Sequence, residues 1–161
     1  LATVYPFMKR YTHLPQVVLG MAFGWAVPMA FAAQTDAVPK VAWLLYVITL
    51  LWTVAYDTMY AMVDREDDLK IDVKSTAILF GDADRLIIGL LQILMFAGLL
   101  LLGQQLGMGY PYHIGVVFAA GFALWHQWLI HARVPRSCFH AFLSNNHLGM
   151  VIFIGLLLEY I

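Results

Sequence analysis

The sequence predicts an all-α, polytopic transmembrane bundle. Hydrophobic residues make up 62% of the 161 residues and charged residues 12%, against about 45–50% and about 25% in soluble domains. Mean hydropathy is +0.77. Several stretches also supply the roughly 20 apolar residues that a helix needs to cross a hydrocarbon core of about 30 Å. Nine basic and ten acidic residues give a formal net charge of −1, which leaves no basic surface for nucleic acid. Cys138 is the only cysteine, so a disulfide framework and a multi-cysteine zinc site are excluded.

The elements follow in order. Pro15 to Ala33 carries no charge, and Val41 to Met62 carries one, Asp57. Leu86 to Leu106 and Pro111 to His131 contain no Asp, Glu, Lys or Arg. Leu148 to Ile161 is 14 residues long and includes Glu159, so it spans only if it begins earlier, near Phe139. Five spans result, in a single membrane-embedded domain over residues 1–161. Gly20 and Gly24 stand four apart ahead of Pro28, which reads as a close helix–helix contact or as an ordinary face of small residues. The chain opens on Leu without a signal peptide, as expected of a processed chain or of a piece of a longer one.

The connections sort by sign. Lys9, Arg10, Arg65, Lys70, Lys74, Arg85, Arg133 and Arg136 fall on one side, and Lys40 alone on the other. The positive-inside rule then makes the acidic region 57–85 cytoplasmic, as in a bacterial inner membrane.

Eight of the ten acidic residues lie between Asp57 and Asp84. If the second span continues as helix through Asp68, at about 100° and about 1.5 Å per residue, Asp57, Asp64 and Asp68 share a stripe about 40° wide. Asp64 and Asp68 are then about 6 Å apart, with Asp57 about 10 Å deeper. At an effective dielectric of about 20, two charges 6 Å apart repel by roughly 2.8 kcal/mol. A carboxylate within a span adds about 2.5–3.5 kcal/mol on insertion scales. A hard cation offsets these costs, and Mg²⁺ takes one or two carboxylates together with substrate phosphates. Arg65, Lys70 and Lys74 could hold the outer oxygens of a bound anion.

A plainer reading is a solvated loop, and it covers Glu66, Asp67, Asp72, Asp82 and Asp84. Asp57 could equally bond to a neighbouring helix. An EF-hand fails, because Leu69 and Ser75 occupy the positions that need Gly and Glu. His126 and His131 are five apart and share no helix face, while His13, His113, His140 and His147 are expected at loop ends. Ser144, Asn145 and Asn146 read as a cap and turn.

Tyr56-Asp57-x-x-Tyr60-Ala-x-x-Asp64-x-x-Asp67-Asp68, followed by Lys74-Ser-Thr-Ala77 and Phe80-Gly81, resembles the second Asp-rich motif of the UbiA-type intramembrane prenyltransferases. The opening Tyr5-Pro6-Phe-Met-Lys9-Arg10-Tyr-Thr-His-Leu-Pro15-Gln16 is similar to the branch that prenylates 4-hydroxybenzoate in ubiquinone biosynthesis. The resemblance extends over nearly the whole chain. It implies Mg²⁺-dependent transfer of a polyprenyl group from its diphosphate to the ring carbon ortho to the phenol. By position, Asp64 and Asp68 would hold Mg²⁺ at the diphosphate, Lys74 would touch the diphosphate, and Arg10 would meet the benzoate carboxylate. Lys9, Tyr56, Asp57 and Tyr60 would complete the substrate-binding set, and membrane lipid would surround it.

The family carries a first Asp-rich motif on an earlier helix and about nine spans in all. The chain therefore resembles the C-terminal five, which implies that it needs the N-terminal helices of the same protein as partners and is inactive without them. Asp72 stands where this branch commonly has Gly; there it could bind further metal or stay in solvent. A divalent-cation channel or transporter subunit, with the three carboxylates as an acidic ring, is the alternative from another class. A naphthoate or haem acceptor is an alternative within the family. CDP-alcohol phosphotransferases are disfavoured, because their Asp-Gly-x-x-Ala-Arg lead-in is absent.

Overall fold

A computed structural model describes Thr3 and Tyr5 to Ile161, without the side chain of Pro6; the start of the opening motif at Pro6 is thus described only in its backbone. The helices, in chain order, are α1 (Tyr5–Tyr11), α2 (Pro15–Gly24), α3 (Ala26–Thr35), α4 (Lys40–Val63), α5 (Arg65–Lys70) and α6 (Thr76–Phe80). A 3₁₀ turn over Gly81–Ala83 leads into α7 (Asp84–Leu106), followed by α8 (Tyr110–Ile130) and α9 (Pro135–Glu159). Five segments among the described residues are long and apolar enough to cross a membrane, in agreement with the sequence.

Proline marks the starts. Pro15, Pro111 and Pro135 occupy the first two positions of α2, α8 and α9, and Pro39 caps α4. In the first turn the missing N–H costs no helical hydrogen bond. Pro28 acts differently. Inside a helix it cannot donate to the carbonyl of Gly24, and its ring crowds that carbonyl. The first span accordingly divides at Trp25 into α2 and α3, where the sequence suggested one uninterrupted helix.

The last span begins at Pro135, earlier than Phe139. Glu159, which weighed against this segment, has a use at its far end. Its carboxylate accepts from the N–H of Gly109 at 2.6 Å and from that of Tyr112 at 3.4 Å. It therefore satisfies free donors at the positive end of α8. The predicted cap and turn at Ser144, Asn145 and Asn146 is instead the middle of α9. There Ser144 and Asn145 donate back to the carbonyl of Ala141, at 3.0 and 2.9 Å. These short polar side chains can thus sit in a helix interior with their donors satisfied. His140 and His147 also lie within α9 instead of at loop ends.

Small residues set the closest approaches. A Cβ on Gly20 would come within 3.1 Å of the carbonyl of Leu50, and one on Gly24 within 3.0 Å of the Tyr46 ring. The four-residue glycine spacing is therefore a close contact between α2 and α4. Gly115 and Gly155 do the same between α8 and α9, where an added Cβ would meet opposing backbone at 2.8 and 2.9 Å. In lipid, helices associate through packing of this kind instead of through burial of oil.

Buried residues form two clusters. One gathers Ile48, Met95, Leu99, Tyr112, Val116 and Leu148 from α4, α7, α8 and α9. The other, toward the acidic end of α4, gathers Met59, Met62, Ala77, Ile88, Ile130 and Cys138. Many large apolar side chains, such as Ile93, Val117, Phe118 and Leu124, stay exposed around the bundle. Bilayer would cover them.

Candidate functional site

The acidic motif sits where α4 ends. The helix does not run straight through Asp68, as a single stripe required. It breaks at Asp64, which has φ −90° and ψ 1°, and restarts as α5 at Arg65. Charge explains the break. Continued helix would hold Glu66, Asp67 and Asp68 at the negative end of a 24-residue dipole, whereas a restart puts all three in the first turn of a new helix, which favours anions. The turn is kept locally, since the Asp68 N–H still donates to the Asp64 carbonyl at 2.8 Å. Asp64 and Asp68 thus remain one turn apart, with Asp57 deeper and buried in α4.

The helix α5 ends in a Schellman arrangement. The Val73 N–H donates to the Asp68 carbonyl at 2.9 Å, and Asp72 between them has φ +54°. That left-handed position is the usual place for Gly after a helix. Asp72 is exposed and belongs to the turn.

The segment after it is pinned on three sides. The Lys74 N–H donates to the Lys9 carbonyl at 2.9 Å, tying α1 to it. The Thr76 N–H donates to Oε1 of Gln16 at 3.1 Å, and Gln16 is 2% exposed. Thr76 and Thr58 share a hydroxyl–hydroxyl bond of 2.8 Å. Through these bonds α1 lies beside the carboxylates, and Lys9 is within electrostatic reach of both Asp57 and Asp68. Burial first, and then the Asp57 carboxylate, push the Tyr5 phenol up to about 12. Tyr5 therefore stays a proton donor at neutral pH. Burial, the main cause, together with repulsion from Asp64 and Asp67, raises the pKa of Asp68, against the pull of Lys9.

Among the described residues, Asp57, Asp64 and Asp68 form no ion pair. No three acidic, His or Cys side chains among those residues converge on one point. Asp64 and Asp68 instead offer two carboxylates, half-buried and electrostatically unsatisfied. Hard oxygen donors of this kind suit Mg²⁺, which takes one or two carboxylates from a protein and the rest of its shell from phosphates and water.

Tyr60 lies next to Asp64 and packs on Phe142 at 5.1 Å. Deeper along α4, Tyr56 packs on Phe142 at 6.0 Å and on Trp52 at 6.2 Å. These rings border an apolar cleft of about 370 Å³, lined by Trp52, Tyr56, Phe142, Leu143, Asn145 and Asn146. Asn145 fixes the Trp52 ring by accepting from its indole N–H at 3.0 Å. A larger hollow of about 510 Å³ opens on Arg65, Asp84 and Arg133, and its two arginines are already paired with Asp84; the smaller cleft connects toward Asp64 only through Tyr60, which packs on its Phe142 wall. Lys74 is half-buried, whereas Arg10 is exposed on α1, and among the described residues no hydrogen bond or ion pair joins Arg10 to the carboxylates.

Two of the expected anion holders are otherwise engaged. Lys70 pairs with Asp67 at 2.8 Å, an exposed bond that raises its pKa. Arg65 pairs with Asp84 at 3.4 Å. Asp84 is not the solvated loop residue that its sequence context suggested: its side chain is 0% exposed and also binds Arg133 at 2.9 Å. Its partners lie 19 and 49 residues away, which no local pattern reveals. His126 lies in the core, where its Nε2 meets the Ser144 hydroxyl at 2.8 Å.

A family model described as "UbiA prenyltransferase family" matches residues 1–154. The chain is 60% identical over 160 residues to a 4-hydroxybenzoate octaprenyltransferase of Pseudoalteromonas atlantica, covering 99% of this chain and 56% of that protein. It is 59% identical over 161 residues to a protein of the same name from Methylococcus capsulatus, covering 100% and 55%. The chain thus spans about half the length of the curated relatives it matches. Among solved structures, the apo structure of a UbiA homolog from Aeropyrum pernix K1 matches with a TM-score of 0.71 at 20% identity, over 98% of this chain and 60% of that one. The fold is therefore the UbiA fold. The chain belongs to the UbiA prenyltransferase family.

Proposed function

We propose that this UbiA-family chain forms the C-terminal half of a prenyltransferase that transfers a polyprenyl group from its diphosphate to 4-hydroxybenzoate. The relatives bear that activity in their names, with an octaprenyl donor. The observation that carries the reading is the Asp64–Asp68 carboxylate pair, half-buried and without an ion pair among the described residues, beside Tyr60, whose ring packs on the Phe142 wall of the aromatic cleft.

Asp64 and Asp68 would hold Mg²⁺, which neutralises charge growing on the departing diphosphate. Lys9, within reach of Asp57 and Asp68, and Lys74, whose backbone is tied to Lys9, would add cationic charge that stabilises the departing diphosphate. The C–O bond of the prenyl diphosphate breaks, and its electron pair leaves with pyrophosphate. The ring carbon ortho to the phenol bonds to the allylic carbon and gives up its proton to the released pyrophosphate, which restores the aromatic ring. Tyr60, Tyr56 and Phe142 present ring faces along the path of the allylic cation, which aromatic faces attract. The apolar cleft takes the isoprenoid tail. Arg10 supplies a planar fork for the benzoate carboxylate, and it reaches the acid once the remaining helices complete the cavity. Eight of nine basic residues fall on the side of the acidic motif, which supports a cytoplasmic site in a bacterial inner membrane. A first Asp-rich motif would come from the N-terminal helices, so the half alone is expected to be inactive.

The test uses the full-length protein. Asp64→Ala and Asp68→Ala each lower Mg²⁺-dependent pyrophosphate release by about a thousandfold, the equivalent of about 4 kcal/mol of barrier, while membrane insertion stays normal. Near-normal turnover in both variants would contradict the reading.

A further inference from the structure

The carboxylate of Asp84 lies at the start of α7 with 0% of its side chain exposed. It takes Arg133 through Nε at 3.0 and 3.2 Å and through a terminal nitrogen at 2.9 Å. Arg133 also donates to the Asp82 carbonyl at 2.8 Å and has φ +53°, so the turn after α8 is shaped around this bond. A left-handed backbone is unfavourable for a residue with a Cβ, and the Asp84 contacts offset that cost. Asp84 further accepts from the N–H of Arg85 at 2.6 Å. One guanidinium and one backbone donor already satisfy much of this carboxylate.

It nevertheless binds a second guanidinium. Arg65 donates to Asp84 at 3.4 Å and to the Gly81 carbonyl at 3.4 Å. The location of Arg65 gives the second bond its meaning. Arg65 directly follows Asp64 and stands three residues before Asp68 on α5, a spacing at which helical side chains are neighbours and opposite charges pair. Left free, its guanidinium would have the Asp68 carboxylate within reach, and with it the metal site that Asp68 shares with Asp64. In the structure it turns away from that site. Among the described residues its side-chain bonds go to Gly81 and Asp84, and none goes to Asp64 or Asp68. Arg65 instead lines the 510 Å³ hollow with Asp84 and Arg133, and neither Asp64 nor Asp68 lines that hollow.

We propose that Asp84 is a positioning residue that holds the Arg65 guanidinium away from Asp64 and Asp68, keeping both carboxylates free for a divalent cation. The proposal rests on the metal-binding reading above. Asp84 touches neither metal nor substrate. It removes an internal competitor for the metal site.

The experiment is direct Mn²⁺ binding to the purified full-length protein, read from the paramagnetic resonance of free Mn²⁺ without substrate. Asp84→Asn releases Arg65, and Mn²⁺ affinity falls about tenfold, as expected for one partly screened charge a few ångströms from the site. Adding Arg65→Gln to that variant restores affinity to within about twofold of the wild type, because the competitor is gone. Unchanged affinity in Asp84→Asn would overturn the proposal. So would a loss that Arg65→Gln does not restore, since Asp84 would then act only by anchoring Arg133. If Asp84→Asn does not fold, Arg65→Gln alone decides. It keeps Mn²⁺ affinity within about twofold if Arg65 is normally held aside, and a tenfold loss would overturn the idea. A wild-type protein that binds no Mn²⁺ would instead be a failure of the metal-binding reading itself.

Discussion

Two carboxylate sites flank the junction of α4 and α5, and they are built in opposite ways. On one side Asp84 is fully buried and bound by two arginines and a backbone N–H. On the other, Asp64 and Asp68 are half-buried, crowded and without an ion pair among the described residues. Residue type does not separate them, because both sit in the same acidic stretch. Satisfaction does. A saturated buried charge holds elements together, whereas charges left close and unpaired keep an electrostatic cost that a bound cation would relieve.

The contrast breaks most visibly in stability. Asp84→Ala should destabilise the fold by about 2 kcal/mol, below the 3–5 kcal/mol typical of breaking a fully buried pair, because Arg65 and Arg133 keep 27% and 33% of their side chains exposed. Thermal denaturation in detergent reads this as a lower Tm. A loss no larger than that of a surface substitution would erase the contrast.

Arg10→Ala tests the substrate side of the open region. It should raise KM for the aromatic acid about tenfold, about 1.4 kcal/mol, and leave KM for the prenyl diphosphate nearly unchanged. Equal effects on both would remove the assigned role. Asp72→Gly should stabilise by about 0.5–1 kcal/mol, since a left-handed residue at a helix C-terminus costs less as Gly. Unchanged denaturation would show that Asp tolerates the turn.

The smallest effect has the most informative sign. The Asp68 pKa is raised in the folded protein, so folding favours its protonated form. The stability it contributes is fully present below the unfolded carboxylate pKa and is lost as pH rises through the folded one. At neutral pH the charge is therefore a cost. Asp68→Asn should raise Tm slightly at pH 7 and leave it unchanged well below the ordinary carboxylate range, while it abolishes turnover. Lower stability at pH 7 would place Asp68 with Asp84, as a structural anion.

Much of this was legible in the sequence. Spans followed from apolar length, and helix starts from Pro15, Pro39, Pro111 and Pro135. The Asp57–Asp64–Asp68 spacing puts three carboxylates at the end of α4 and the start of α5, and the motifs point to the family that the residue 1–154 match establishes. Hidden features depended on partners distant in sequence. Asp84 reads as a loop residue in the sequence because Arg65 and Arg133 reach it only after the bundle closes. Ser144 and Asn145 read as a turn because local propensity knows nothing of the His126 ring or the Trp52 indole that they meet in the bundle. The break at Asp64 was missed because periodicity alone ignores the dipole at a helix end.

The central claim is that Asp64 and Asp68 hold the metal of a diphosphate. The most direct measurement is the affinity of the full-length protein for a non-hydrolysable prenyl diphosphate analogue, with and without Mg²⁺, in wild type and Asp64→Asn. Mg²⁺ should tighten binding at least about tenfold in the wild type, about 1.4 kcal/mol of coupling, and do nothing in the variant. Equal tightening in both proteins, or metal binding that never changes affinity for the diphosphate, would contradict the claim.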